Sequence, residues 1–456
     1  RDFGGDLLLK EVQERVMAVL RMAEALSPKY HVVVANPPYM GGKGMNLALQ
    51  SFAKANYPDS KSDLFAMFME RALRMSVTRG SMAMINMQSW MFLPSFEKLR
   101  SNLLSKACLQ SMAHLGPRAF DTIGGEVVST TAFIFGNYYS ADQHGTYLRL
   151  VDGSNETEKA QLARDATEHR AEDVLYSASF SEITKLPGQP IAYWLTNRFR
   201  AVFDSDWVVE ELAEKVTKGI FTGDNNRFLR FWFEIDKAEN GWKKYDKAGE
   251  SRRWFGSAMH VVDWRQNGSV LRNFDGAGLG AMKFYGKPHF VWSGLSTGTP
   301  SFRFSDDHVW FDDVSPSVIG AEQSEALLAY LNSRVATKVL MTLNPTLHYQ
   351  IGDVKRIPVP DLKTQYSEIS NACVSLARSD WDAYETSWDF TALPLLSPDH
   401  RGDTLEASYT TLRAHWQSMT DEMKALEEEN NRIFIDAYGL QDELTPEVPI
   451  EEVTLT

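Results

Sequence analysis

The sequence predicts an α/β protein built in parts, and three observations carry that expectation. Between residues 31 and 135, apolar β-branched runs alternate with helical patterns, as in a doubly wound sheet. From Gly219 to Pro360 the chain turns to short β-like runs rich in Trp, Phe, Gly, Asn and Arg. Beyond Pro360 it becomes acidic and helical. A chain of 456 residues has room for about two to four domains, each with its own core.

Taken in order, Leu8, Val12, Val16, Val19 and Leu20 keep helical spacing, which predicts a helix over 7–26 closed by Pro28. His31-Val32-Val33-Val34-Ala35 follows and reads as a buried parallel strand. It stops at Asn36-Pro37-Pro38-Tyr39, because two prolines continue neither strand nor helix. Met40-Gly41-Gly42-Lys43-Gly44 is a flexible run, followed by a short polar segment to Pro58. A helix is expected over 63–79, with N-cap candidates from Asp59 to Asp63. A strand over 81–87, a helix over 94–105 and strands near 109–115 and 127–135 complete the alternation. Residues 141–182 read as strand edges and loops, and Leu186-Pro187-Gly188-Gln189-Pro190 as a boundary. This is the later half of a Rossmann-like sheet. The strand and Gly-rich turn that open such a sheet are not found: Gly4-Gly5 follows no predicted strand, and Gly124-Gly125 reads as a plain turn.

The net charge of −13 is unevenly spread. Residues 215–303 hold 15 Lys and Arg against 8 Asp and Glu, and residues 1–110 hold 14 against 9. Residues 361–456 hold 6 against 20. The acidity sits in the tail, so the global count does not exclude a nucleic-acid surface on the front or middle. In the tail, Leu405, Tyr409, Leu412, Trp416, Met419, Met423 and Leu426 form a heptad seam, read as helix packing within the chain, with dimerisation as the alternative. Two distant cysteines, Cys108 and Cys373, give neither a disulfide framework nor a metal motif, as suits a reducing cytosol. No apolar run reaches membrane-spanning length, so a cytoplasmic protein without a membrane role is expected. The histidines lack metal-ligand spacing, and no metal is expected.

The Asn36-Pro37-Pro38-Tyr39 stretch carries the chemistry. Average usage gives such a tetrapeptide about one chance in a thousand in a chain this long. Ligands of open α/β sheets lie at the carboxyl ends of strands, which is where this stiff loop is expected. The Asn36 side chain and the Pro37 carbonyl can accept both hydrogens of an exocyclic amine while Tyr39 stacks on its ring. An adenine amine is a weak nucleophile; two acceptors favour a more tetrahedral nitrogen and support its developing positive charge. Proximity to an activated methyl group supplies the rest, once the adenine has left the duplex stack.

The motif resembles motif IV of amino-group DNA methyltransferases. Four further segments widen the resemblance: Ser60–Phe68, Gly124–Val128, Thr222–Arg230 and Asn344–Gly352. With residues 30–41 they are similar to the PglX family of adenine-specific methyltransferases from BREX phage-defence systems, of which this chain resembles a central portion. The resemblance implies a site-specific DNA adenine N6-methyltransferase that uses S-adenosylmethionine and marks self DNA. Its partners would be double-stranded DNA with a flipped adenine and other BREX proteins. It implies a partial catalytic domain over 1–185, a bridge over 186–213, a target-recognition domain over 214–360 and an acidic helical segment over 361–456. The catalytic loop is Asn36, Pro37, Pro38 and Tyr39; no cofactor-binding residue transfers, so the chain alone is expected to be catalytically silent. Asn225, Asn226, Arg227 and Arg230 are candidates for base or phosphate contact, Lys243, Lys244 and Lys247 for phosphate attraction. Arg252 and Arg253 beside Trp254 are candidates for phosphate contact, with a solvated face as the equal alternative. Leu331-Asn332-Ser333 and Asn344-Pro345-Thr346 are expected to turn the chain. Two alternatives remain: a non-catalytic DNA-reading and assembly module, or the methyltransferase part of a restriction-modification fusion enzyme.

Overall fold

The computed structural model describes residues 7–121, 128–236, 240–247, 252–294, 299–345 and 348–455. Gly4-Gly5, Gly124-Gly125 and Thr346 lie outside them. The chain divides into two compact units, Arg1–Leu195 and Thr196–Thr456, each a mixture of helices and sheets.

The first unit opens with α1 (Leu7–Leu26) and runs straight into β1 (Tyr30–Ala35). Then come α2 (Leu47–Asn56), α3 (Leu64–Met75), β2 (Ser76–Met87), α4 (Glu97–Leu104), β3 (Cys108–Gly116) and β4 (Thr130–Gly136). The unit continues with β5 (His144–Arg149), α5 (Glu156–Thr167) and β6 (Leu175–Ser179). The six strands form one sheet in the order β1-β2-β4-β3-β5-β6. β1 runs parallel to β2 and β3 parallel to β5, whereas β4 is antiparallel to both neighbours. The sheet is therefore mixed.

Four local expectations need correction. The segment before Pro58 is a helix, α2, because the Asn46 side chain accepts from Leu49 N and stops the first turn from fraying. The helix expected over 63–79 ends at Met75: Ser76 turns its hydroxyl back onto Ala72 O, and β-branched Val77 and Thr78 begin the strand. Residues 141–182 include α5, capped by Asn155. β1 is not buried on both faces. Val33 and Ala35 pack against the core, while Val32 is 60% and Val34 74% exposed. Val34, Ile85, Ala113, Ile134 and Leu148 line an open apolar trough of about 620 Å³ on that side of the sheet.

The opposite face is closed. Phe65 and Met69 of α3 and Leu99 and Leu103 of α4 pack with Met82, Met84, Met112, Phe133, Phe135 and Tyr147 of the strands. Arg100 is wholly buried and donates to Trp90 O, Leu93 O and Gly188 O. The Leu186–Pro190 stretch is thereby tied into the first unit.

In the second unit, Trp310–Phe311, Trp242–Asp246, His260–Asp263 and Leu229–Phe231 form a four-stranded sheet. A five-stranded sheet joins Trp254–Phe255, Phe302–Ser305, His289–Trp292, Ser317–Ile319 and Lys215–Thr217. The helices Ser324–Leu331, Thr364–Asp382 and Leu405–Tyr438 pack on one another. The middle of the chain and its acidic tail thus share one unit. The heptad seam is mostly internal: Leu412, Met419 and Met423 are buried, whereas Leu405 and Tyr409 remain exposed. The Asn332 amide ties the end of the Ser324–Leu331 helix to the Phe302–Ser305 strand, pairing with both N–H and C=O of Phe302 at 2.9 Å. Asn344 Nδ2 donates to His348 O and Asp353 Oδ2.

Candidate active site and nucleic-acid interface

The Asn36–Tyr39 loop leaves β1 at its carboxyl end, as a strand cut off by two prolines must. Pro37 is buried, Asn36 and Pro38 are exposed, and Tyr39 is half-buried. The Tyr39 ring meets the buried Phe65 ring edge-on, 6.1 Å between centroids. Its burial raises the phenol pKa, so the ring is neutral at physiological pH.

What fixes the far end of the loop is Asp63. One carboxylate oxygen accepts from Met40 N at 2.9 Å and from Phe65 N at 3.3 Å. Leu64 N in turn donates to Met40 O. A single side chain therefore caps α3 and holds the loop that α3 follows. Burial raises the Asp63 pKa, while the donated N–H groups of Met40, Phe65 and Leu64 pull it back. The sequence marks Asp63 as a cap; its hold on Met40, 23 residues earlier, is visible only in three dimensions.

A second missed residue is Asn86. It lies near the carboxyl end of β2, two places past Met84, the partner of Ala35. Its side chain is wholly buried, and neither amide atom has a hydrogen-bond partner among the described residues. A polar residue in the apolar alternation Met82, Met84, Asn86 is the signal that could have found it. His114, expected to be structural, binds Gln88 Oε1 at 2.7 Å and Tyr193 Oη at 3.2 Å. Burial drops its pKa to about 3, so it stays neutral.

The second unit separates the nucleic-acid candidates into two groups. Asp224 accepts from Arg227 N and starts a single helical turn, Asn225–Phe228. Asn225, Asn226 and Arg227 are exposed, and Arg230 is half-buried with Nη1 donating to Asn226 O and Leu229 O. Asn225, Asn226 and Arg230 share a cleft of about 390 Å³ with Phe231, Glu234, Lys247 and His260. Arg227 lies over the rings of Phe228 and Phe274. Lys243 is exposed. Lys244 sits over Trp388 and 3.6 Å from Asp389, so its charge is already shared.

Arg252 and Arg253 are neither a solvated face nor positioned for phosphate; both are buried. Arg252 Nη2 meets Asp380 Oδ2 at 2.6 Å, and Arg253 Nη1 meets Glu427 Oε2 at 3.0 Å. Glu427 also accepts from Trp254 Nε1. Desolvating a guanidinium is costly without a carboxylate, and here two carboxylates from distant helices supply it. Among the described residues no group of three or more His, Cys, Asp or Glu is arranged to hold a metal ion. None of the described helices is long and apolar enough to cross a membrane.

Residues 10–120 match the family described as Eco57I restriction-modification methylase. The adenine-specific methyltransferase PglX of Lacticaseibacillus casei (strain Zhang) is 35% identical over 96% of this chain and 38% of its own length. The adenine-specific methyltransferase BrxX of Escherichia coli O9:H4 (strain HS) is 34% identical over 97% of this chain and 36% of its own. The chain therefore spans rather more than a third of the curated relatives it matches. In fold it is similar to the Type IIL restriction-modification enzyme MmeI, solved with DNA, at 11% identity and a TM-score of 0.52 over 91% of this chain and 57% of that one. It is also similar to a nuclease-deletion mutant of the Type ISP restriction-modification enzyme LlaGI, at 13% identity and a TM-score of 0.50 over 84% and 44%. By sequence, this chain is similar over almost its whole length to the PglX and BrxX adenine-specific methyltransferases, and its residues 10–120 match a restriction-modification methylase family.

Proposed function

We propose that this chain is the base-holding and target-reading part of a site-specific DNA adenine N6-methyltransferase that uses S-adenosylmethionine. In this reading the first unit is the later half of a Rossmann-like methyltransferase sheet, and residues 214–360 are a target-recognition domain. The observation that carries it is the Asn36–Tyr39 loop, clamped by prolines at one end and by Asp63 at the other.

An adenine flipped out of the duplex stacks on Tyr39. The Asn36 side-chain carbonyl and the Pro37 carbonyl each accept one amine hydrogen, which raises the amine's nucleophilicity and offsets its developing positive charge. Held this way, the nitrogen is already aimed, and the entropy of orienting it is removed from the barrier. S-adenosylmethionine supplies an electrophilic methyl group when bound. The acceptors at Asn36–Pro37 and the Tyr39 ring suit the base rather than the cofactor, and no residue of this chain is assigned to the cofactor. The names of the PglX and BrxX relatives support adenine as the target. Self-marking in phage defence, partners in a BREX assembly and a cytoplasmic location belong to the same proposal.

The test is Asn36→Ala in the complete protein, assayed with labelled methyl donor on unmethylated DNA. Methylation should fall at least about 100-fold, the effect of removing one charge-stabilising group, with duplex affinity unchanged within a few-fold. Retained methylation overturns the assignment.

A further inference from the structure

The second unit displays an aromatic stack that folding alone does not require. Phe231 and Phe233 lie face to face, 5.2 Å between centroids and 4° from parallel. His260 lies 4.8 Å from Phe231 with its ring tilted 34° to it. Phe233 is 54% exposed. Between the two phenylalanines, Trp232 leans against Trp388 at 5.6 Å and donates Nε1 to Thr386 O at 2.9 Å. That anchor fixes the segment while its neighbours stay in solvent. Glu234 accepts from Phe231 N at 2.8 Å and closes the turn. Adjacent exposed aromatic rings held rigid in one orientation are an unusual use of apolar surface, and mark a contact site.

The surroundings say what kind of ligand fits. The cleft beside the stacked pair holds Arg230, Lys247, Asn225 and Asn226 with Phe231, Glu234 and His260. The Glu234 carboxylate already serves a backbone N–H. Among the described residues Arg230 uses Nη1 alone in hydrogen bonds, to two carbonyls, and its charge also acts on Asp263. The His260 ring is kept neutral, chiefly by desolvation and then by the Lys247 charge. Its Nδ1 has no partner among the described residues. Flat apolar faces, cations and the exposed amides of Asn225, whose carbonyl accepts from Thr222 Oγ1, and Asn226 together match a nucleotide: a π-face to stack, a phosphate to neutralise and base-edge groups to bind.

We propose that Phe233 is a stacking platform for a nucleobase displaced from the DNA helix, with Arg230 and Lys247 on the adjoining phosphates. This rests on the DNA-binding reading above but is separate from the Asn36–Tyr39 loop. It assigns the chain a second place where an unstacked base is received.

The test uses the complete protein and fluorescence anisotropy with three labelled probes: single-stranded dT20, a paired 20-bp duplex, and that duplex with one extrahelical thymine. Wild type should bind dT20 and the bulged duplex more tightly than the paired duplex. Phe233→Ala should weaken dT20 and bulged-duplex binding about 5- to 100-fold, the range expected of one lost base–aromatic stack. Its paired-duplex binding, salt slope and melting midpoint should stay as in wild type. Phe233→Trp should restore the preference. Equal binding of all three probes by wild type, or wild-type affinities in Phe233→Ala, overturns the platform. In the second case, intact duplex binding together with loss of methylation in Asn36→Ala leaves the enzyme reading standing. Failure of wild type to bind any probe overturns both.

Discussion

The Asn36–Tyr39 loop and the Arg252-Arg253-Trp254 segment look alike as sequence signals, each a short polar–aromatic cluster in a basic stretch. They end in opposite places. The loop stays at the surface of its unit because its shape is set within a few bonds: Pro37 and Pro38 fix φ, and the strand before them fixes direction. The arginine pair goes inside because its environment is set by Asp380 and Glu427, 128 and 174 residues further along the chain. Stiff covalent geometry is local and can be read. A charge's partner is not local and cannot.

The comparison can be broken or sharpened by substitution. The largest effect on stability is expected from Arg253→Ala, which leaves Glu427 buried without its cation. The cost is about 3–5 kcal/mol, measurable as a fall in the urea midpoint. A surface-like cost below about 0.5 kcal/mol would return Arg253 to the list of phosphate contacts. Asp63→Ala removes a helix cap for about 1 kcal/mol and frees Met40 as well. Methylation by the complete protein should fall more than that destabilisation explains, mainly in kcat. An unchanged kcat would mean that the prolines alone hold the loop.

A third prediction concerns pH. Asp312 is buried beside Asp313, and desolvation, reinforced by that neighbour, raises its pKa to about 7. The folded state therefore holds this proton more tightly than the unfolded state does. The stabilisation is complete below about pH 4 and is lost as pH rises through about 7. Asp312→Asn keeps an acceptor for Val314 N and should flatten that decline, so that the urea midpoint of the variant exceeds wild type at pH 8 but not at pH 4. Parallel pH curves would sink this assignment. The smallest effect belongs to Lys243→Ala. Stability should stay within about 0.5 kcal/mol, while duplex affinity drops and the salt slope falls by about one. An unchanged salt slope would take Lys243 off the DNA surface.

Much of the first unit was legible. α1, the β1–Pro37 stop, the β2 and β3 strands and the cap at Asp63 follow from periodicity, β-branching and capping chemistry over windows of a few residues. The end of α3 was misplaced because the apolar pattern runs on through Val77, and only the return of Ser76 Oγ to Ala72 O marks the last turn. α2 was missed because Leu47 and Phe52 are exposed, so its apolar positions do not report a core.

By itself, then, the sequence determined where the chain stops, turns and stiffens, and hence the loop that holds the candidate chemistry. It also carried the resemblance to adenine methyltransferases, because an Asn-Pro-Pro-Tyr turn after a strand needs no distant partner to take its shape. Only the tertiary structure decided which charges face water. It buried Arg252 and Arg253, joined Asp63 to Met40, gathered Asn225, Arg230 and Lys247 into one cleft, and stacked Phe231 on Phe233. Backbone conformation depends on nearest neighbours, whereas burial and ion pairing depend on groups that meet only after the chain has folded.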